Sequence, residues 1–428
     1  MILERVNVPL AGGYEIDLPK MMRVKQHFNA DRLEDIEGEV VKQMQAKLVP
    51  DVFQGKRVAV AAGSRGIANL AAIVKSTITQ LKAWGAEPFI VPAMGSHGGA
   101  TAQGQAKILA DYGIDEKTMG VPVISSMDVV ELTKLDNGMP VYLDKEASQA
   151  DLIVVVNRIK PHTDFKGDFE SGLLKMLGIG LGKHKGATTL HSYGFDQFHD
   201  LIPKTGKAIL EKAPVAFGIG IVENAYDETA KLEVIPAEDI VEREKSLLIE
   251  AKQNMPKLLV SEIDVLIVDE IGKNISGSGM DPNITGRPGS KLPGFSAPPI
   301  QKVVVLDLTE KTHGNATGIG MADVTTLHCV NKIDFSYTYA NCITSTVLEG
   351  AKLPLIMNND KEAIIVALKT CNRVTPERAK IVRIKNTLEL NEIYLSEAYL
   401  HEIRSQDKIT ILSEPGEMRF DEQGYLLD

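Results

Sequence analysis

The stretch Asp151-Leu-Ile-Val-Val-Val156 restricts the fold more than any other part of this sequence. It is apolar without a polar alternation, so it has no water-facing side, and a strand of that kind lies in a parallel sheet covered on both faces. Arg57-Val-Ala-Val-Ala-Ala62 and Pro88-Phe-Ile-Val-Pro92 read as further strands. Between them, residues 66–84 carry apolar side chains at Ile67, Leu70, Ile73, Ile78 and Leu81, the spacing of a helix face. A second helix over 102–112 completes a βαβα rhythm. The turns after such strands open at one edge of the sheet, the carboxyl edge where open α/β sheets keep their sites.

The rest of the chain extends this pattern. Asp136-Asn137-Gly138 is a turn signal inside a hairpin spanning residues 129–143. A helix rich in Glu and Lys over 236–253 leads to Pro256, and Ile263-Asp-Val-Leu-Ile-Val-Asp269 restarts a buried strand. A third strand-like run covers 301–307, helices are expected over 337–350 and 361–370, and residues 380–384 are extended. At 428 residues the chain exceeds one ordinary core. The expected architecture is therefore two α/β domains with mainly parallel sheets and an active-site cleft between them. Residues 1–256 form the N-terminal catalytic and cofactor-binding domain and 257–428 the C-terminal domain, with the tail after Ser405 able to return to the first. The Gly-, Pro- and Ser-rich stretch 272–299 is too long for a routine connection and could be a lid.

Composition excludes several classes. A formal charge of −10 opposes a phosphate-backbone grip, so nucleic acid is not an expected partner. No apolar run reaches the length needed to span a bilayer, and Glu4 interrupts the start where a signal peptide would have its apolar core, which points to a cytoplasmic protein without membrane attachment. The three cysteines, 329, 342 and 371, lack CxxC spacing and imply neither a disulfide framework nor a thiolate zinc site.

Reactive side chains gather after the predicted strands, in Gly63-Ser64-Arg65-Gly66, in Gly95-Ser96-His97-Gly98-Gly99 and along 161–191. Glycine-rich turns let backbone N–H groups face an anion, and an arginine such as Arg65 can clamp a carboxylate with two hydrogen bonds; it can equally cap a helix. His97, between glycines, has little packing to justify an imidazole, yet a solvated loop histidine is the plainer alternative. His162 follows a proline that fixes the approach of the chain. Two imidazoles from separate strand ends could work on one carbon from opposite sides, one accepting and one donating a proton. Lys175 lies in an apolar turn, as a desolvated amine or as a lysine whose stem snorkels along a helix. His191 is a lone ligand or a packed helix residue. The run Gly178-Ile-Gly-Leu-Gly-Lys183 resembles a phosphate loop only superficially, since His184 follows Lys183 where a Walker motif has Ser or Thr.

In order and spacing these residues resemble the nickel-dependent lactate racemase family over roughly residues 55–200, continuing weakly into Met280-Asp-Pro-Asn-Ile284. The resemblance implies a racemase or epimerase that inverts C2 of a 2-hydroxy acid with a nickel-pincer nucleotide, a pyridinium-3-thioamide-5-thiocarboxylic acid mononucleotide carrying nickel. By that resemblance Arg65 clamps the substrate, His97 and His162 are the catalytic acid/base pair, Lys175 carries the cofactor through a thioamide, and His191 binds nickel. Ser64, Gly98 and Gly172 would line the cofactor. Arg287 and Lys291 would contact substrate, standing where the family has a glutamine and a lysine. The implied partners are a small-molecule 2-hydroxy acid and the proteins that make the cofactor.

The chain departs from the family at Ala62, where an aspartate is expected, and in a longer connection after His162 that adds Asp164, Asp168 and Glu170. These departures point to a substrate longer than lactate, such as a sugar acid. Two rivals stand beside this reading. One is a non-catalytic α/β protein that binds a phosphorylated ligand or nucleotide through the glycine turns, or that handles the cofactor. The other, a zinc hydrolase built on His97, His162 and His191, lacks close ligand spacing.

Overall fold

The structure, a computed structural model, describes residues 4–63 and 66–427. The chain divides into two compact units, residues 29–255 and residues 1–28 together with 256–428. The first 28 residues thus leave the N-terminal domain to which the sequence reading assigned them. Strand β1 (Met21–Gln26) is the reason, because its hydrogen-bonding partners all lie near the other end of the chain.

The unit 29–255 is a five-stranded sheet in the order β3-β2-β6-β7-β8. Its elements follow in sequence as α1 (Ile36–Lys47), β2 (Arg57–Ala62), α2 (Leu70–Ala83), β3 (Glu87–Pro92), α3 (Ala102–Asp111), α4 (Glu116–Met119), the hairpin β4 (Val129–Lys134) and β5 (Pro140–Asp144), α5 (Lys145–Ser148) and β6 (Leu152–Arg158). Then come α6 (Leu173–Lys175), α7 (Lys183–His191), α8 (Phe198–Lys212), the pair β7 (Val215–Glu223) and β8 (Thr229–Pro236), and α9 (Ile240–Asn254). Strands β3, β2, β6 and β7 are parallel, and only β8 runs against its neighbour.

Apolar continuity explains the centre of this sheet: Val58, Val60, Val154 and Val156 are fully buried and meet Ile73, Val74, Ile78 and Leu81 of α2 in one core. Local chemistry sets the element ends. Asp35 accepts from the Gly38 N–H at the start of α1, and Thr101 Oγ1 from the Gly104 N–H at the start of α3, satisfying donors a helix start leaves open. Gly138 turns the hairpin with φ +82°, a region costly for other residues.

The second unit is an eight-stranded mixed sheet in the order β12-β11-β10-β9-β13-β14-β1-β15. Strands β9 (Ile263–Ile271), β10 (Ile300–Leu308), β11 (Val324–Thr326), β12 (Leu355–Met357) and β13 (Ile381–Ile384) run parallel. Strand β14 (Glu392–Ser396) and β15 (Ile409–Ile411) pair antiparallel with β1. The tail after Ser405 thus returns to residues 21–26, within this unit. No helix among the described residues is long and apolar enough to cross a membrane.

Candidate active site at the carboxyl edge of the first sheet

Because β3, β2 and β6 are parallel, the turns that follow them open at one sheet edge. These turns hold the residues singled out above. Gly63 follows β2, the segment Met94–Ala100 follows β3, and the long connection from Ile159 to Gly182 follows β6. Contacts tie them together. The Gly95 N–H donates to the Gly180 carbonyl at 3.3 Å, and Asn157 Nδ2 donates to the Gly172 carbonyl at 3.1 Å. A Cβ at Gly180 would come within 2.8 Å of the Ala93 carbonyl oxygen, so only glycine lets the two turns approach this closely.

His162 and His191 belong to one aromatic cluster. The His162 ring lies 4.5 Å from Phe165 and 5.9 Å from Phe195, and the His191 ring lies 5.1 Å from both Phe195 and Phe198, centroid to centroid. Phe165 closes the ring of contacts at 5.5 Å from Phe198. Two histidines separated by a helix and two turns therefore share one apolar wall. Burial, and then the nearby Lys175 cation, push His191 down to about 4, so its imidazole is neutral near pH 7. Its Nδ1 is buried and has no hydrogen-bond partner among the described residues.

Buried carboxylates hold the turns. Glu170, 1% exposed, accepts the His162 N–H at 2.7 Å and contacts Lys166 at 3.2 Å and Lys252 at 2.6 Å. Of the three acidic residues in this longer connection, Asp168 instead lies at the surface, paired with Lys245 at 2.9 Å. The Asp164 backbone N–H donates to His162 Nδ1 at 3.0 Å, which orients the ring and leaves Nε2 for other partners. The Asp164 carboxylate lies 3.9 Å from Nδ1.

Under Lys175, Glu244 caps α6. Its carboxylate accepts the Leu174 N–H at 2.9 Å and also bonds the Leu173 N–H. Burial raises this carboxyl to about 7, against the opposing pull of those two donors. Residues 176–180 then widen into a π-helical turn that leads to α7.

The other residues singled out from the sequence have structural partners of their own. Gly172 makes room for Glu244, whose Oε1 lies 2.1 Å from where a Cβ would stand. Gly98, at φ +65°, packs its backbone on the start of α3, where a Cβ would meet Gly104 at 2.5 Å. Arg287 is occupied in the second unit. Its guanidinium bonds Asp323 at 2.6 Å and the Met321 and Gln301 carbonyls at 3.2 and 3.0 Å. Lys291 is exposed and paired with Glu349 at 2.7 Å. Ser64 and Arg65 lie outside the described residues.

Among the described residues no group of three or more His, Cys, Asp and Glu side chains converges to hold a metal, which removes the support for a three-histidine zinc site. A nickel ion whose other donors come from an organic group needs less, and His191, neutral with an unused buried nitrogen, fits that requirement. Lys183 is fully buried beside Asp144 at 2.9 Å, so the glycine-lysine run is a packed element of the fold and not a phosphate loop.

Residues 19–199 match the lactate racemase N-terminal domain family. The fold is similar to that of the lactate racemase apoprotein from Thermoanaerobacterium thermosaccharolyticum, with a TM-score of 0.54 and 14% identity over 86% of this chain and 99% of that one. A Thermotoga maritima protein solved in a structural genomics programme is similar at a TM-score of 0.51 and 14% identity, over 85% of this chain and 99% of that one. No curated protein sequence matches the chain significantly.

Proposed function

We propose that the chain, whose residues 19–199 match the lactate racemase N-terminal domain family, inverts C2 of a 2-hydroxy acid, as a racemase or epimerase working with a nickel-pincer nucleotide. The observation that carries this reading is the gathering of His162 and His191 on one aromatic wall with the Lys175 cation near His191, and with the His97 turn hydrogen-bonded to the turn that follows Lys175.

Lys175 would hold the cofactor covalently and His191 would ligate the nickel. When bound, such a group supplies a reversible hydride acceptor, which avoids forming a carbanion at C2. The remaining chemistry is proton handling at the hydroxyl oxygen. His97 and His162 alternate, one imidazole taking the hydroxyl proton and the other imidazolium returning one. Asp164 holds the His162 ring in place through its backbone N–H on Nδ1. Arg65 would clamp the substrate carboxylate. The connection that adds Asp164 and Lys166 beside His162 favours a substrate with more hydroxyl groups than lactate, such as a sugar acid. The scarcity of cysteine suits a cytoplasmic setting.

The test uses protein isolated from cells that also make the cofactor. Peptide mass spectrometry should find a covalent adduct on Lys175, elemental analysis should find nickel, and chiral chromatography should find inversion of a 2-hydroxy acid among lactate and sugar acids. Lys175→Ala should fold normally and lose adduct, nickel and activity together. Full nickel retention in that variant would refute the assignment.

A further inference from the structure

Lys183 is the largest buried charge in the first unit that the proposed chemistry does not use. It is 0% exposed, and its Nζ contacts the Asp144 carboxylate at 2.9 Å, the Pro92 carbonyl, and Gln105 Oε1 at 3.4 Å. Gln105, also fully buried, then donates through Nε2 to the carbonyls of Gly95 at 2.8 Å and His97 at 3.3 Å. A continuous polar strut thus runs from Asp144 at the end of β5, through Lys183 and Gln105, to the backbone of the turn that carries His97. Lys183 also starts α7, the helix that ends in His191, and does so at φ +53°, a backbone region that costs most side chains about 1 kcal/mol or more.

We infer that Lys183 and Gln105 are positioning residues that set the His97 turn against the helix bearing His191. The physical argument is one of alternatives. A buried ion pair is a poor source of stability compared with apolar residues of the same volume, and removing one partner leaves an uncompensated charge. A lysine kept here, at a strained backbone angle, is explained by what its ammonium alone supplies: three donors that reach a carboxylate, a strand-end carbonyl and an amide at once. The amide in turn presents two donors to the Gly95 and His97 carbonyls, tying to α3 a turn in which the His97 and Ala100 N–H groups bond only locally, to Met94 and to Ser96 and His97. Free of this strut, the turn would keep its glycines and lose its register.

The inference rests on the reading of His97 as a proton-handling residue, yet its main test is made on the protein without cofactor. Gln105→Leu and Lys183→Met are compared with the parent protein by hydrogen exchange of peptides covering 94–101 and by diethylpyrocarbonate labelling of His97, with exposed His184 as an internal control. Loss of these hydrogen bonds should accelerate exchange in 94–101 and His97 labelling by about tenfold in either variant, with His184 unchanged. Parent-like exchange and labelling in a folded Gln105→Leu protein would overturn the inference. Gln105→Leu removes no charge, so it carries the test if Lys183→Met fails to fold. In the cofactor-loaded enzyme, Gln105→Leu should lower kcat more than it raises KM. If the loosened turn is seen but the parent protein inverts no hydroxy acid, the proposed function fails and the strut stands.

Discussion

Replacing Glu244 with Gln should make the first unit increasingly more stable than the parent as pH rises from about 4.5 to 7, with the full gain present above 7. The carboxyl of Glu244 is fully buried and raised from 4.5 to about 7 by burial, while the same group in the unfolded chain titrates near 4.5. Between those values the folded protein holds a proton that the unfolded chain has released, so stability falls as pH rises through this window. At about 1.4 kcal/mol per pH unit, the ionised carboxylate costs roughly 3 kcal/mol once pH exceeds 7. Gln is neutral and close to isosteric, and its side-chain carbonyl can still accept from Leu173 and Leu174. The variant should therefore match the parent near pH 4.5 and exceed it by roughly 3 kcal/mol near pH 8. Asp360, raised to about 6 in the other unit, is present in both proteins and cancels from the difference. Urea unfolding followed by fluorescence isolates the relevant unit, because the chain has a single tryptophan, Trp84, just beyond α2. A stability difference that stays flat from pH 4.5 to 8 would refute the account of Glu244 as a buried acid that ionises near neutrality.

Two further outcomes follow from the same geometry. Lys175→Met removes the cation beside His191, so the imidazole should titrate above its present value of about 4 while staying below 6.5, since burial is the larger cause; NMR of the His191 ring without cofactor reads this directly. Glu170→Ala removes the buried carboxylate that Lys166 and Lys252 share and leaves the His162 N–H without its acceptor, and should destabilise the first unit by roughly 1–3 kcal/mol in the same urea assay.

The apolar runs 57–62 and 151–156 declared their strands because nothing else needs an unbroken apolar segment of that length. Asp136-Asn137-Gly138 declared its hairpin. Strand β7 stayed hidden for a physical reason: Gly218 and Gly220 dilute its pattern, and they are glycine because Leu173 and Leu247 press within 2.8 and 3.0 Å of where their Cβ atoms would be. The placement of residues 1–28 was illegible in principle, since Met21 pairs with Ser396 and nothing local to either segment specifies the other. In the candidate site, His97, His162, Lys175 and His191 stand out in the sequence by residue type and by their place after strand ends. Their supports could not. Glu244 stands within Glu242-Arg-Glu-Lys245 and looks like one more solvated charge on a surface helix, and Gly172 looks like a ligand glycine until the carboxylate that fills its space is seen.

Each turn to which the proposed chemistry is assigned rests on a buried ionisable group. Glu170 lies under His162, Glu244 under Lys175, and Lys183 with Asp144 under His97, all at 1% exposure or less. A protein selecting for stability alone would fill such positions with carbon, because desolvating a charge offsets much of what its partners return. Hydrogen bonds to a charge are also the stiffest restraint that side chains offer a turn, being shorter and about twice as strong as neutral ones. A reaction that moves a proton to and from one oxygen depends on imidazole placement to fractions of an ångström, and glycine-rich turns supply none of that rigidity themselves. The glycines let the turns come close, and the buried charges fix where they stop. Substitutions at these four ions should therefore disturb kcat more than their distance from substrate suggests, and the neutral isosteres among them separate the two roles: Glu244→Gln keeps the acceptor and removes the charge, whereas Glu170→Ala removes both.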